Sequence, residues 1–72
     1  MNAEEIIPFL NKYVGVGIPH WEEDRLFYYY GTITRITDDY ITIVIPNGIK
    51  EIEINKIKQI FLANNHKAGD VY

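Results

Sequence analysis

The 72-residue chain contains neither cysteine nor serine. Without cysteine there is no disulfide to brace the fold and no thiolate to ligate a metal ion. Without either residue the common side-chain nucleophiles reduce to threonine and lysine, so the sequence indicates a non-enzymatic protein with no catalytic residue. The lack of cysteine also agrees with a reducing compartment, and we expect a cytoplasmic protein.

Long apolar runs and an excess of positive charge are missing as well. No uninterrupted apolar stretch approaches the length of about 18 residues that a transmembrane helix needs. The first apolar pair, Ile6-Ile7, follows two glutamates, whereas a secretory signal begins with basic residues. We therefore expect no membrane association. The formal net charge is −3, which argues against electrostatic capture of nucleic acid by the chain as a whole.

Isoleucine is abundant: it accounts for 13 residues, and hydrophobic residues make up 47% of the chain. Ile has a stiff side chain that packs well on a pleated sheet. Apolar β-formers occur in four short runs, 26–36, 40–45, 49–54 and 57–62. The breaks between these runs carry turn residues such as Asp38-Asp39 and Asn47-Gly48. Short strands joined by such turns predict an antiparallel meander.

Residues 2–14 carry the signals of a helix. Asn2 is a good N-cap, and Glu5, three residues later, completes a capping-box pattern. Apolar residues at helical spacing form one stripe that includes Leu10. Pro8 interrupts the pattern because proline clashes with the preceding turn of a helix. We expect a short helix that ends near Tyr13, followed by a first strand over 14–18.

These elements predict an all-β fold with one N-terminal helix. We expect the five strands to form one strongly bent antiparallel small barrel over residues 1–62, and residues 63–72 to form a flexible C-terminal tail. Gly31, inside the longest strand, predicts a bulge or a bend. The residues on the apolar phase of each element predict the core, namely Leu10, Val16, Ile33, Ile41, Ile43, Ile52, Ile54, Ile57 and Ile60.

The aromatic run 27–30 is the strongest candidate for a binding surface. Alternate residues of a strand point to opposite faces, so Tyr28 and Tyr30 share one face. Either both faces are covered, by the helix and by a neighbouring subunit, or one face stacks bases or holds a peptide. Trp21 lies in the acidic loop 20–25, which is either a solvated loop or a contact for a cation or partner. We take Trp21, Tyr28 and Tyr30 as candidate partner-binding residues.

Metal ions and cofactors are not expected. His20 stands beside Glu22, Glu23 and Asp24, but side chains so close in sequence rarely converge on one ion without a formed loop. No pattern of residues indicates a small-molecule substrate.

Four segments together resemble the Sm-like small barrel, a relative of the SH3-like barrels. They are the glycine-rich segment 13–18, the segment 31–38 that runs from a glycine to an acidic turn, the strand 40–44, and the segment 52–57. The resemblance covers residues 4–62. It implies a five-stranded, strongly bent SH3-like or Sm-like barrel that forms a homo-oligomer and contacts single-stranded RNA.

The same resemblance implies an RNA-binding site at two turns, made of Asp38, Tyr40, Thr42 and Lys56. Family members that bind oligo-uridine have an Asp and, four residues later, an Asn. Here Asp38 is followed by Thr42. Their second motif ends in a basic residue and a glycine, where this chain has Asn55-Lys56.

Two functions remain open at this point. The first is a self-associating binding or scaffolding module that acts through protein–protein contacts. The second is an Sm-like oligomer that binds single-stranded RNA through the two turns.

Overall fold

The computed structural model describes residues 1–63. An α-helix of one turn, α1 (Ala3–Ile6), begins the chain, and the 3₁₀ turn Ile7–Phe9 follows it. Five strands come next, with a second 3₁₀ turn, Ile54–Lys56, before the last of them. The strands are β1 (Tyr13–Pro19), β2 (Leu26–Ile36), β3 (Tyr40–Ile45), β4 (Gly48–Glu53) and β5 (Gln59–Leu62). The predicted five-stranded antiparallel fold with one N-terminal helix is confirmed.

The strands form a single sheet in the order β4-β3-β2-β1-β5, and every neighbouring pair is antiparallel. Strands β4 and β5 are the two edges of this sheet. They do not pair with each other in the described part of the chain, so the sheet is open. Each edge strand therefore has one row of backbone groups without a partner strand.

One hydrophobic core lies on the inner face of the sheet. It joins residues of α1, of four strands and of the linker after β4 in a single cluster, which requires the sheet to curve around it. The fully or almost fully buried residues are Ile6, Val14, Val16, Ile33, Ile41, Ile43, Ile52, Ile54 and Ile57. Seven of the nine predicted core residues are confirmed. Five of them lie on strands, where alternation identifies the inner face, while Ile54 and Ile57 lie in and just after the second 3₁₀ turn.

Leu10 is wrongly predicted as a core residue. The α-helix ends at Ile6, well before Tyr13, since Pro8 cannot donate a backbone hydrogen bond or fit inside a helix. Beyond the 3₁₀ turn the backbone of Leu10 is extended, so the helical stripe is broken and this side chain is 38% exposed. Ile6 occupies the core in its place, at 0% exposure.

Ile60 is the other core residue that differs from the prediction. It lies on the inner face opposite Val16, but it is half-buried because β5 is an edge strand. Val14, which was not among the predicted core residues, is fully buried.

The predicted capping box at the start of α1 is confirmed. The side chain of Asn2 accepts a hydrogen bond from the Glu5 amide at 3.1 Å, and the Glu5 carboxylate accepts one from the Asn2 amide at 2.9 Å. These two bonds satisfy amides that a helix start otherwise leaves without partners.

Gly31 permits a close approach of two strands. A Cβ atom at this position would overlap the carbonyl oxygen of Val44 on β3. The bulge itself lies a little further along, where the β2–β3 register shifts between Ile33 and Arg35.

The predicted tail over 63–72 falls outside the described residues except at its first position. The amide of Ala63 donates to the carbonyl of Tyr13 at 3.0 Å, which extends the contact between β5 and β1 by one residue.

Candidate functional site

The β2–β3 turn and the second 3₁₀ turn lie side by side. The amide of Ile54 donates a hydrogen bond of 2.9 Å to the carbonyl of Asp39 and ties the turns together. Between them and the start of α1 is an open cavity of about 280 Å³, here called the turn cleft. Its lining residues are Met1, Asn2, Asp38, Asp39, Tyr40, Glu53, Ile54 and Asn55.

Thr37 holds the β2–β3 turn in shape. Its hydroxyl oxygen accepts hydrogen bonds from the amides of Asp39 and Tyr40 at 3.3 and 2.9 Å. Its own amide donates to the carbonyl of Tyr40 at 2.8 Å. A threonine hydroxyl that replaces backbone partners in this way stabilises a tight turn. Asp38 and Asp39 are consequently presented to solvent at the tip.

The sites predicted for RNA are only partly brought together. Asp38 and Tyr40 both line the turn cleft. Thr42 lies further along β3, opposite Glu51, and is not part of that lining. Lys56 lies on the other side of Tyr40, at a second cavity of about 240 Å³ that Tyr40 also borders.

The electrostatic setting of this region is acidic. Glu53 is the cross-strand partner of Tyr40, and Asp38 and Asp39 immediately precede Tyr40 in the chain. The Nζ atom of Lys56 is 3.1 Å from the Glu53 carboxylate. This ion pair is exposed, so its contribution to stability is small, but it engages the one cationic group predicted to meet phosphate. A bound phosphate would face more carboxylates than amines here.

Two residues of this region were not among the predicted site residues. Asn55 lines the turn cleft. The sequence indicated that Asn55 lies in a turn beside Lys56, but not that it borders a cavity. Lys50 reaches from β4 toward β2 and places its Nζ 5.4 Å from the centre of the Tyr29 ring. That contact depends on the β3–β4 register, which no local pattern reveals.

Tyr28 and Tyr30 form an outer aromatic cluster with Phe61 of β5. The rings of Tyr28 and Tyr30 are 6.3 Å apart at an angle of 29°, and each lies 6.1 Å from the Phe61 ring. The hydroxyl of Tyr28 donates to Oε1 of Gln59 at 2.6 Å, across the intervening strand β1. The cluster is therefore anchored on both sides of β1.

The glycines of β1 make room for these rings. Gly15 pairs with Tyr30 on one side and Phe61 on the other, and Gly17 pairs with Tyr28. A Cβ on Gly15 would lie 2.5 Å from the Phe61 ring, so the rings occupy the space of the missing side chain. The absence of side chains at these two positions therefore allows the rings of both neighbouring strands to approach β1 closely.

Trp21 belongs to a different aromatic group on the other side of the β1–β2 hairpin. Its ring stacks on His20 at 4.2 Å and meets the edge of Phe27 at 5.6 Å. Phe27 in turn contacts Tyr29 at 5.0 Å. Alternation along β2 places Phe27 and Tyr29 opposite the outer cluster. The three candidate partner-binding residues therefore divide between two surfaces.

His20 organises the acidic loop through its ring. Its Nδ1 accepts hydrogen bonds from the amides of Glu22 and Glu23 at 3.0 and 3.1 Å. Trp21, between His20 and Glu22 in the chain, remains 70% exposed. Within residues 1–63, no three His, Asp or Glu side chains are grouped to hold a metal ion.

The two edge strands differ in charge. Strand β4 contains Lys50, Glu51 and Glu53, whereas β5 contains no charged residue. Each edge also exposes a large aliphatic side chain, with Ile49 of β4 at 71% and Leu62 of β5 at 63%. Charged residues are a common protection of edge strands, and β5 lacks it.

No protein-family model matches the chain, and no curated protein or solved structure is significantly similar to it. Over the described residues, no helix has the length and apolar character needed to cross a membrane.

Proposed function

We propose that this chain is a non-enzymatic binding or scaffolding module that self-associates and acts through protein–protein contacts. The observation that carries the proposal is the open sheet, whose edge strands β4 and β5 both expose backbone groups and a large aliphatic side chain. An unprotected edge is a template for another strand. The cytoplasm is the proposed compartment, on the strength of the cysteine-free sequence.

The proposed class is the Sm-like or SH3-like small barrel. The order of helix, five strands and one 3₁₀ turn before the last strand supports it, as does the curvature of the sheet around one core. In this proposal a strand of a partner pairs with an edge that the single chain leaves open.

The exposed aromatic side chains support a role in partner binding. Trp21 is 70% exposed and Tyr30 45% exposed. Large aromatic residues are enriched where proteins meet, because they bury much area at a low cost in conformational entropy. In the proposal, the outer aromatic cluster and the Trp21 loop contact partners on two different surfaces.

The solution mass tests the proposal. Sedimentation equilibrium over a range of concentrations should give a mass above the 8.4 kDa of one chain. In a protein that stays monomeric, an exposed edge strand is usually protected by charged residues, and β5 has none. A species of 8.4 kDa at every concentration up to the submillimolar range would refute self-association.

An RNA-binding oligomer is the second candidate, favoured by the contact between the two turns. Asp38, Tyr40 and Asn55 border one cleft, and an aromatic ring beside an acid and an amide can stack and read an unpaired base. In this case Tyr40→Ala combined with Lys56→Ala should abolish a mobility shift with short single-stranded RNA.

The control for that experiment is Tyr30→Ala, which removes an exposed tyrosine from a different surface. Binding should also weaken as salt rises, since phosphate contacts release counterions. If the double variant binds RNA as well as the parent chain does, the turn cleft is not the site.

A further inference from the structure

Strand β5 is an uncharged edge strand, so two copies of it can face each other without charge repulsion. We propose that β5 pairs antiparallel with β5 of a second copy, around a two-fold axis that passes beside Phe61. The proposal rests on the proposed self-association and names its interface. It joins two five-stranded sheets into one continuous sheet, with the same strand contributed by both copies.

The direction of the backbone groups fixes which residues of β5 are available. The amide of Ala63 points toward β1, where it meets the carbonyl of Tyr13. Backbone amides alternate in direction along an antiparallel strand, so Phe61 also faces β1, its partner there being Gly15. The amides and carbonyls of Ile60 and Leu62 therefore point to the open edge.

These groups select a register. When the axis passes beside Phe61, Ile60 of each copy lies opposite Leu62 of the other, and both pairs form backbone hydrogen bonds. The two Phe61 residues then form the central pair without hydrogen bonds, in which side chains of facing strands are closest. A shift of one residue would place inner-face side chains against outer-face ones.

The central side-chain pairs of this register, Phe61 with Phe61 and Ile60 with Leu62, are apolar, and Gln59 lies opposite Ala63 at either end. On the inner face, Leu62, which is 63% exposed in the single chain, packs against Ile60 of the second copy. On the outer face the two Phe61 rings meet, so the outer aromatic clusters of both copies become neighbours. Apolar and aromatic cross-strand pairs are the pairs that stabilise sheets. A register shifted by two residues so that it is centred on Ile60 sets Lys58 opposite Leu62.

Strand β4 does not offer an equivalent match to itself. Antiparallel self-pairing centred on Lys50, Glu51 or Glu53 places identical charges directly opposite each other. Centring on Ile52 brings Glu51 of one copy opposite Glu53 of the other, and only a pairing centred on Gly48 or Ile49, at the start of the strand, avoids facing like charges. Like charges in facing positions destabilise a strand pair. The charge pattern thus favours β5 as the joining edge.

The first test introduces the same charge at each edge. Leu62→Lys places a lysine at the proposed interface, while the matched control Ile49→Lys changes the exposed aliphatic residue of β4. A four-residue strand pair is a small interface, so the dimer should dissociate on dilution. Sedimentation equilibrium should give the parent chain and Ile49→Lys a mass approaching twice 8.4 kDa at high concentration. Leu62→Lys should remain at 8.4 kDa under the same conditions.

The outcomes separate the interface from the proposed function. A parent chain that stays at 8.4 kDa refutes both self-association and the β5 interface. An assembly larger than a dimer, or one that Ile49→Lys dissociates, keeps self-association and overturns the β5 pairing. Circular dichroism of each variant verifies that the sheet is retained.

The second test reads the register directly. Because the chain has no cysteine, Phe61→Cys introduces a single thiol at the proposed axis, and Leu62→Cys introduces one beside it. Facing residues of a pair without hydrogen bonds lie within the distance that a disulfide spans. Mild oxidation should convert Phe61→Cys to a covalent dimer and leave Leu62→Cys monomeric on a denaturing gel. Efficient cross-linking of Leu62→Cys alone would overturn the register.

Discussion

Gly15 and Gly31 lie in adjacent strands, but different kinds of atoms fill the space beside them. Next to Gly15 are the ends of the Phe61 and Tyr30 rings, which can turn aside. Next to Gly31 is a carbonyl oxygen of β3, fixed by the sheet itself. A side chain can yield to a new methyl group more easily than a backbone can.

We predict that Gly31→Ala destabilises the fold more than Gly15→Ala does. Overpacking against a movable ring costs about 1–3 kcal/mol, partly offset by the lower entropy of an unfolded chain with Ala. Displacing the Val44 backbone should cost more, at least ~3 kcal/mol, because ladder hydrogen bonds are lost with it. Urea denaturation of both variants measures the difference. Equal losses of stability would contradict the assigned role of Gly31.

His20 acts on the acidic loop through a single ring nitrogen. We predict that His20→Ala loosens the loop, because the amides of Glu22 and Glu23 lose their acceptor. His20→Asn should largely preserve it, since the Asn side-chain oxygen can replace Nδ1. Trp21 is the only tryptophan in the chain, so its fluorescence reports on this loop alone. Both variants also lose the stack of His20 on Trp21, so the decisive comparison is between them. Identical spectra of His20→Ala and His20→Asn would show that the hydrogen bonds to Nδ1 do not hold the loop.

Pro8 ends helix α1 at Ile6. The position of this end determines which isoleucine lies in the core. Ile6, the last residue of α1, is 0% exposed, whereas its neighbour Ile7 is 56% exposed. A helix that continued to Tyr13 would have buried Leu10 as well. The single turn of α1 thus contributes one side chain to the core.

We predict that Ile6→Ala costs about 2–5 kcal/mol of folding free energy, the usual range for emptying a buried aliphatic site. Ile7→Ala, the same substitution one residue later, should cost less than about 1 kcal/mol. Thermal or chemical unfolding of the two variants provides the comparison. A loss of similar size in both would mean that the N-terminal turn docks on the sheet through another face.

The strand boundaries were the part of the molecule most readable from sequence. Turn residues such as Asp38-Asp39 and Asn47-Gly48 mark chain reversals through local chemistry, and β2 and β3 have their predicted bounds. The candidate site was less readable. The contact between Asp39 and Ile54 joins turns that are distant in sequence, and the contact of Lys50 with the Tyr29 ring depends on the register of the sheet. Long-range pairing and side-chain partners of this kind leave no local pattern.

The net charge of the molecule affects the association of one copy with another. Each chain carries a net charge of −3, so two copies repel each other weakly at long range. Strand β5 contributes no ion pair to oppose that repulsion. Association through β5 and association through charged contacts therefore predict opposite responses to salt.

We predict that sodium chloride leaves self-association unchanged within about threefold, or strengthens it. Added salt shortens the screening length from about 10 Å at 0.1 M to about 3 Å at 1 M, which removes repulsion between the copies and leaves apolar contacts intact. Sedimentation equilibrium at these two salt concentrations measures the association constant directly. A steep fall with salt would assign the interface to charged residues, with Lys50 and Glu51 of β4 as the first to replace. Association that persists at high salt in the parent chain and is absent in Leu62→Lys at both concentrations would tie it to the uncharged edge.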